Sequence, residues 1–203
     1  MQGELLVVMR KRSCTFGRGG LGGFHPGWGG YSGGVMDARL IREAFERDRR
    51  KMTVQLAREL GVSELEVMRA LPPGRAAELD VGRWEEMLRG LEGAGDVHVI
   101  VTNGSVTMEA FGRFGNFSTW GEGEGRYFNV QTKSLDLHIR PATLAAAFAV
   151  RKPGHMDGVE TLSIQFYNRE GAAAFKVFLT FGGREAKAEI STLFHTMSEE
   201  YRV

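Results

Sequence analysis

The chain reads as an α+β protein, a large antiparallel meander sheet covered on one face by N-terminal helices and a C-terminal helix. Three observations lead there. Apolar residues recur at three- and four-residue spacing between Asp37 and Leu91; beyond Asp96 the spacing drops to two, in seven short runs; helical spacing returns over residues 184–200. Short links between the runs imply antiparallel neighbours, because a parallel pair needs a crossover of a dozen residues or more. Helices that precede and follow the strands, rather than alternating with them, give α+β and not α/β.

The helical part spans residues 37–92. Asp37 suits an N-cap, and Leu40, Ile41, Ala44 and Phe45 form an apolar stripe on an otherwise charged segment. A second stripe, Val54, Leu56, Ala57 and Leu60, breaks at Gly61. Ser63-Glu64-Leu65-Glu66 then has the form of a capping box for a helix that stops near Leu71-Pro72-Pro73. A further helix over about 81–91 presents Trp84, Met87, Leu88 and Leu91, and Gly93 and Gly95 end it.

Strands are expected at about 97–102, 105–111, 126–131, 134–140, 144–151, 160–167 and 173–181, within a sheet region of 96–181. Asn103-Gly104, Arg140-Pro141 and the 154–158 loop punctuate them. In the last pair, Leu162, Ile164 and Phe166 share a face, Asn168 to Gly171 reverse the chain, and Phe175, Val177 and Leu179 return. The C-terminal helix carries Ile190, Leu193, Phe194, Met197 and Tyr201 on one stripe.

Residues 1–35 are set apart by composition. They hold 11 of the 28 glycines, with no helical or strand period, and read as a glycine-rich disordered extension to a single domain at 36–203. Cys14 is the one cysteine, which excludes an intramolecular disulfide and fits a reducing, cytoplasmic setting. Lys and Arg total 26 against 25 Asp and Glu, so no global field selects nucleic acid or an anionic membrane. The apolar run Leu5 to Met9 is too short for a signal-peptide core or a membrane span.

Residues 53–71 have helix-turn-helix grammar, but the second helix offers Glu64 and Glu66 against Arg69 alone, where phosphate contacts need lysine and arginine. Arg47, Arg49, Arg50 and Lys51 are interleaved with Glu46 and Asp48. A helical cap on the sheet is the stronger reading, with DNA-binding regulation behind it. Gly17 to Gly23 lacks the preceding strand of a phosphate loop, and Gly121 to Gly125 is acidic and reads as a loop. No pair of carboxylates or nucleophile pattern identifies catalytic residues.

Two histidines fall on strands. His98 faces away from Val97, Val99 and Val101. The run 134–140 places Ser134, Asp136, His138 and Arg140 on one face and Leu135, Leu137 and Ile139 on the other. An imidazole two positions from a guanidinium suits an iron ligand beside a carboxylate clamp; it equally suits a solvated sheet face. His155 sits in a loop beside Met156, from where it could reach over a ligand, and His195 flanks the apolar stripe of the last helix as a capping or packing residue.

Tyr127-Phe128-Asn129, Leu137-His138-Ile139, the hairpin Leu162 to Leu179 and Leu193-Phe194-His195-Thr196, preceded by Leu71-Pro72, together resemble the cytosolic haem-utilisation carriers of the HutX/ChuX type from about Asp37 onward. The resemblance implies a haem-utilisation-protein-like fold with haem held against the sheet, a homodimer standing in for the two repeats of longer relatives, and haem as bound cargo in uptake and iron utilisation. It implies a non-catalytic carrier or buffer that exchanges haem with donor or acceptor proteins, ahead of a haem-degrading enzyme. The positions where relatives carry haem-binding histidines align with Thr102 and Ser134. If haem binds, the resemblance leaves Tyr127 and His138 as first candidates for the iron, His98 as second, and Arg140 or Arg151 beside the propionates.

Overall fold

The computed structural model describes residues 36–203. The expected extension at 1–35 lies outside the described residues.

Helix α1 (Ala38–Arg47) starts where the Asp37 side chain accepts from the Arg39 N–H, and it buries Ile41, Ala44 and Phe45. Helix α2 (Thr53–Leu60) ends on Gly61, whose φ of 67° is the left-handed conformation that a glycine tolerates. Helix α3 (Glu64–Ala70) opens with the expected capping box: Ser63 accepts from the Glu66 N–H, and Glu66 accepts from the Ser63 N–H. Strand β1 (Ala76–Leu79) follows, then helix α4 (Trp84–Gly90) between two 3₁₀ turns.

The strands are β2 (Asp96–Thr102), β3 (Thr107–Arg113), β4 (Phe117–Trp120), β5 (Tyr127–Gln131), β6 (Asp136–Ile139), β7 (Leu144–Pro153), β8 (Glu160–Asn168) and β9 (Ala173–Phe178); helix α5 (Ala188–Glu200) closes the chain. The class is α+β, as expected. The connectivity is not a single meander: six strands form one antiparallel sheet in the order β1-β7-β8-β9-β2-β3, and β4-β5-β6 form a second. Two strands had no counterpart in the sequence reading. Ala-Ala-Glu-Leu of β1 has helical propensity, overridden by pairing with β7 in the register Ala76↔Val150 to Leu79↔Ala147. Strand β4 is four residues between Asn116, at φ 47°, and Gly121.

The helices cover both faces of the large sheet, not one. On the face of Leu162, Ile164, Phe166 and Val177, α4, α5 and the small sheet complete one core with Met87, Leu88, Phe194, Met197, Phe128 and Val130. On the opposite face Ala146, Phe148, Val150 and Tyr167 pack against Ile41, Phe45, Leu56 and Met68 of α1–α3. Strand β8 therefore buries every residue from Leu162 to Tyr167. Its polar residues satisfy one another: the Tyr167 hydroxyl donates to Gln165 Oε1 at 2.7 Å, and Gln165 Nε2 donates to Ser163 Oγ at 2.9 Å. Burial pushes the Tyr167 phenol well above its ordinary range, which keeps it a proton donor.

Charges are also buried under α3. Lys176 Nζ, on β9, donates to Glu64 Oε1 at 2.5 Å, and the Thr53 hydroxyl donates to the same oxygen. The side chains are 14% and 5% exposed, so the lysine and the glutamate each neutralise a charge that water does not reach freely. The hairpin turn joins in: the Leu65 N–H donates to Gly171 O at 3.0 Å, which satisfies a free donor at the start of α3. Gly171 has φ 78°, and a Cβ there would stand 2.7 Å from Ser63 Cβ. The small sheet closes onto the large one at Gly112, where a Cβ would meet Ser134 O at 2.7 Å.

Removing one partner of the buried pair strands the other. Glu64→Gln is expected to lower the unfolding free energy by about 3–5 kcal/mol in urea titrations, and Glu64→Leu with Lys176→Met to recover most of it. A second expectation concerns Lys152, whose pKa is lowered from 10.5 to about 8 by burial and then by the Lys176 charge. Between those two values the unfolded chain holds the proton and the folded chain does not, so this lysine makes stability rise with pH across that window. Lys152→Met should therefore be more stable than the parent at pH 7, by up to about 3 kcal/mol, with the advantage reduced to less than about 1 kcal/mol at pH 10. Urea titrations of both proteins at the two pH values measure it.

Candidate functional site

The small sheet presents a polar outer face. Register pairs Trp120 with Tyr127, Ser118 with Asn129, Asn129 with His138 and Gln131 with Asp136. Alternation sends Phe128, Val130, Leu137 and Ile139 inward and these seven positions outward, as expected for His138. The inward side is anchored by aromatic contacts: Phe128 meets Trp84 edge-on at 5.2 Å and stacks on Phe117 at 5.5 Å, with the Arg89 guanidinium over both rings. A rigid base therefore carries the outer face.

Three of the five candidate residues, Tyr127, His138 and Arg140, share that face. Tyr127 lies 6.1 Å from Trp120, ring to ring, and the Arg140 guanidinium lies 5.9 Å from the Tyr127 ring. Trp120 is 69% exposed, which leaves a large apolar surface open beside the polar groups. His138 is half exposed; its Nδ1 is 2.7 Å from Asn129 Oδ1 and its Nε2 is 3.4 Å from Asp136 Oδ1. Arg140 follows β6, with Nη2 3.5 Å from Glu124 O.

His98 and Arg151 are elsewhere. His98 is on the large sheet, stacked on Phe111 at 4.4 Å, bordered by Phe178 and Phe181, with Nε2 2.9 Å from Glu109 Oε2. Arg151, on β7, is paired with Glu160 at 3.6 Å and sits over Phe194 at 5.7 Å. It borders two clefts against α5, of about 410 and 270 Å³. His195, read as a packing residue, lines the smaller one with Arg202 and Ser198. Its position one residue from the buried Phe194 was the available signal, since a helix residue at the edge of an apolar stripe faces the groove beside it.

Thr102 and Ser134 serve their turns. The Thr102 hydroxyl donates to Val106 O at 3.1 Å and accepts from the Gly104 N–H, and Ser134 Oγ accepts from the Arg113 N–H at 3.2 Å. Among the described residues no group of three or more His, Cys, Asp or Glu is arranged to hold a metal ion, and no helix is long and apolar enough to cross a membrane.

The model of the haem utilisation ChuX/HutX family matches residues 77–197. The chain belongs to this family. Over 152 residues, 74% of each chain, it is 25% identical to the intracellular heme transport protein HutX of Vibrio cholerae. A solved structure of a protein from Erwinia carotovora superposes with a TM-score of 0.70 at 21% identity, covering 80% of this chain and 98% of that one. Holo-PhuS, a heme-binding protein from Pseudomonas aeruginosa, superposes with a TM-score of 0.64 at 22% identity, covering 82% of this chain and 46% of that one. The family thus extends over both sheets and α5, and the two structures share the fold.

Proposed function

We propose that the protein binds haem as cargo in the cytoplasm and acts as a carrier or buffer in haem utilisation, taking haem from a donor and releasing it to an acceptor protein. The observation that carries this reading, within a haem-utilisation family, is that Tyr127, His138 and Arg140 share one strand face beside an exposed Trp120. Porphyrin supplies four equatorial nitrogens, so the protein need offer only an axial donor, and a phenolate oxygen or an imidazole nitrogen serves. A guanidinium pairs with a propionate in bidentate fashion, and an indole offers a flat apolar surface for a macrocycle. One axial bond on an open sheet face also suits release. His98, boxed by phenylalanines and held by Glu109, and Arg151, held by Glu160, take no part in this face.

We also propose that two copies associate. Holo-PhuS is about twice the length that this chain covers, so a second copy would supply what the longer protein carries in one chain. Strand β3 is an edge of the large sheet and exposes Met108 and Phe111, with Val106 exposed just before it. That edge is the natural seat for the second copy.

Titrating hemin into micromolar protein should shift the Soret band and saturate at one haem per chain. Either His138→Ala or Tyr127→Phe should weaken binding at least about tenfold, equal to ~1.4 kcal/mol, and so name the ligand. No spectral change would end the carrier reading; loss of the band with ascorbate and the rise of a bile-pigment spectrum would show degradation instead. Sedimentation should give twice the 22.5 kDa chain mass, and Met108→Glu with Phe111→Glu should return it to one chain. A monomeric parent protein would refute the association.

A further inference from the structure

We infer that Asn129 is a positioning residue that presets His138 for iron, by holding the imidazole in the tautomer that leaves Nε2 bare. This rests on the haem reading above. Neutral imidazole has one proton, on Nδ1 or on Nε2, and only the nitrogen without it has a lone pair for a metal; the hydrogen bond at the other nitrogen decides which.

Asn129 lies directly opposite His138 in the β5–β6 register and is 7% exposed, whereas His138 is half exposed. Its Oδ1 is 2.7 Å from His138 Nδ1. A carbonyl oxygen only accepts, so Nδ1 is the donor. The other end of the Asn129 amide supports this orientation: Nδ2 donates to Ser118 Oγ at 3.1 Å, and the Ser118 hydroxyl donates to Gln131 Oε1 at 3.0 Å. With the hydroxyl proton committed to Gln131, Ser118 has only lone pairs to offer Asn129. Turning the amide over would set its carbonyl against those lone pairs and its N–H against the imidazole. The bonds thus run in one direction, from His138 through Asn129 and Ser118 to Gln131.

Asp136 pulls the other way. Its Oδ1 is 3.4 Å from His138 Nε2 and favours a proton there. The Asn129 bond is the shorter of the two and is shielded from water, so Nδ1 keeps the proton. Once Nε2 is bare, the same carboxylate faces its lone pair and adds attraction for a cation approaching from solvent. Asn129 is therefore what turns an imidazole that would pair with Asp136 into a free ligand.

The tautomer can be read without haem. In ¹⁵N-labelled protein, at a pH where the imidazole is neutral, two-bond ¹H–¹⁵N correlations should show His138 protonated on Nδ1. Asn129→Ala should move the proton to Nε2, next to Asp136, while amide shifts outside β4–β6 stay in place. Asn129→Asp keeps the shape and offers a carboxylate to Nδ1, so it should restore the wild-type tautomer; it also keeps the inference testable if the alanine variant does not fold. Hemin affinity should follow, about 10–100-fold weaker in Asn129→Ala and recovered in Asn129→Asp. A proton on Nε2 in the wild-type protein, or a tautomer unmoved by Asn129→Ala, would overturn the inference. Hemin binding indifferent to His138→Ala would overturn the role of His138 and Asn129 in coordination, even with the tautomer as expected, and would leave the haem reading to Tyr127.

Discussion

Strand β8 lies between two cores and has no face toward solvent, and the rest of the fold follows from how that condition is met. Its apolar face closes against α4, α5 and the small sheet, while its polar face lies beneath α1–α3. A strand buried on both sides must satisfy every side-chain polar atom internally, because each one left unpaired costs on the order of 1–3 kcal/mol. Ser163, Gln165 and Tyr167 do so in a line along the strand, and on the neighbouring strand Lys176 finds Glu64 at the start of α3. The helical cap is therefore bound to the sheet by charge and hydrogen bonding as much as by the packing of Phe45, Leu56 and Met68 on Phe148 and Tyr167.

This arrangement separates a rigid centre from accessible margins. The central positions of β7 and β8 are committed to packing, and Gly171 and Gly112 hold the cap and the small sheet against the large sheet at distances that admit no side chain. What stays open is the outer face of β4–β6 and the free edge of β3. The candidate groups on the small sheet are held on strands whose inner residues, Phe128 and Val130, are fully buried. Side chains that share one strand face above such a core keep their spacing, which a loop would not ensure.

Much of this was legible in the sequence because it depends on neighbours along the chain. The capping box at Ser63, the stop at Gly61, the hairpin at Asn168 to Gly171 and the outward setting of His138 and Arg140 all rest on local spacing. Three features were not. Strand β1 is Ala-Ala-Glu-Leu, whose propensity says helix, and only the distant β7 makes it a strand. The helices were expected on one face, whereas the alternate face of β8, with Ser163 and Gln165, is also buried and its polar groups partner one another. His98 and Arg151 were grouped with the site by residue type, whereas strand order places one beside β3 and the other against α5. The pairing of Asn129 with His138 was within reach: a reversal over residues 132–135 sets Gln131 opposite Asp136, and counting outward by two brings the amide to the imidazole.

Thr102 and Ser134 each meet a local demand of the scaffold. Both side chains accept backbone N–H bonds at the ends of β2 and β3, Thr102 from Gly104 and Ser134 from Arg113, so each stabilises the junction where it sits. A hydroxyl meets that local demand with one short bond; an imidazole there would have to give up the bond or point its ring elsewhere. The requirements for holding porphyrin iron are looser in position, since one axial donor suffices and any strand face that presents a phenol or an imidazole over a firm core can provide it. The geometry of the sheet is therefore under tighter physical constraint than the position of an axial donor would be.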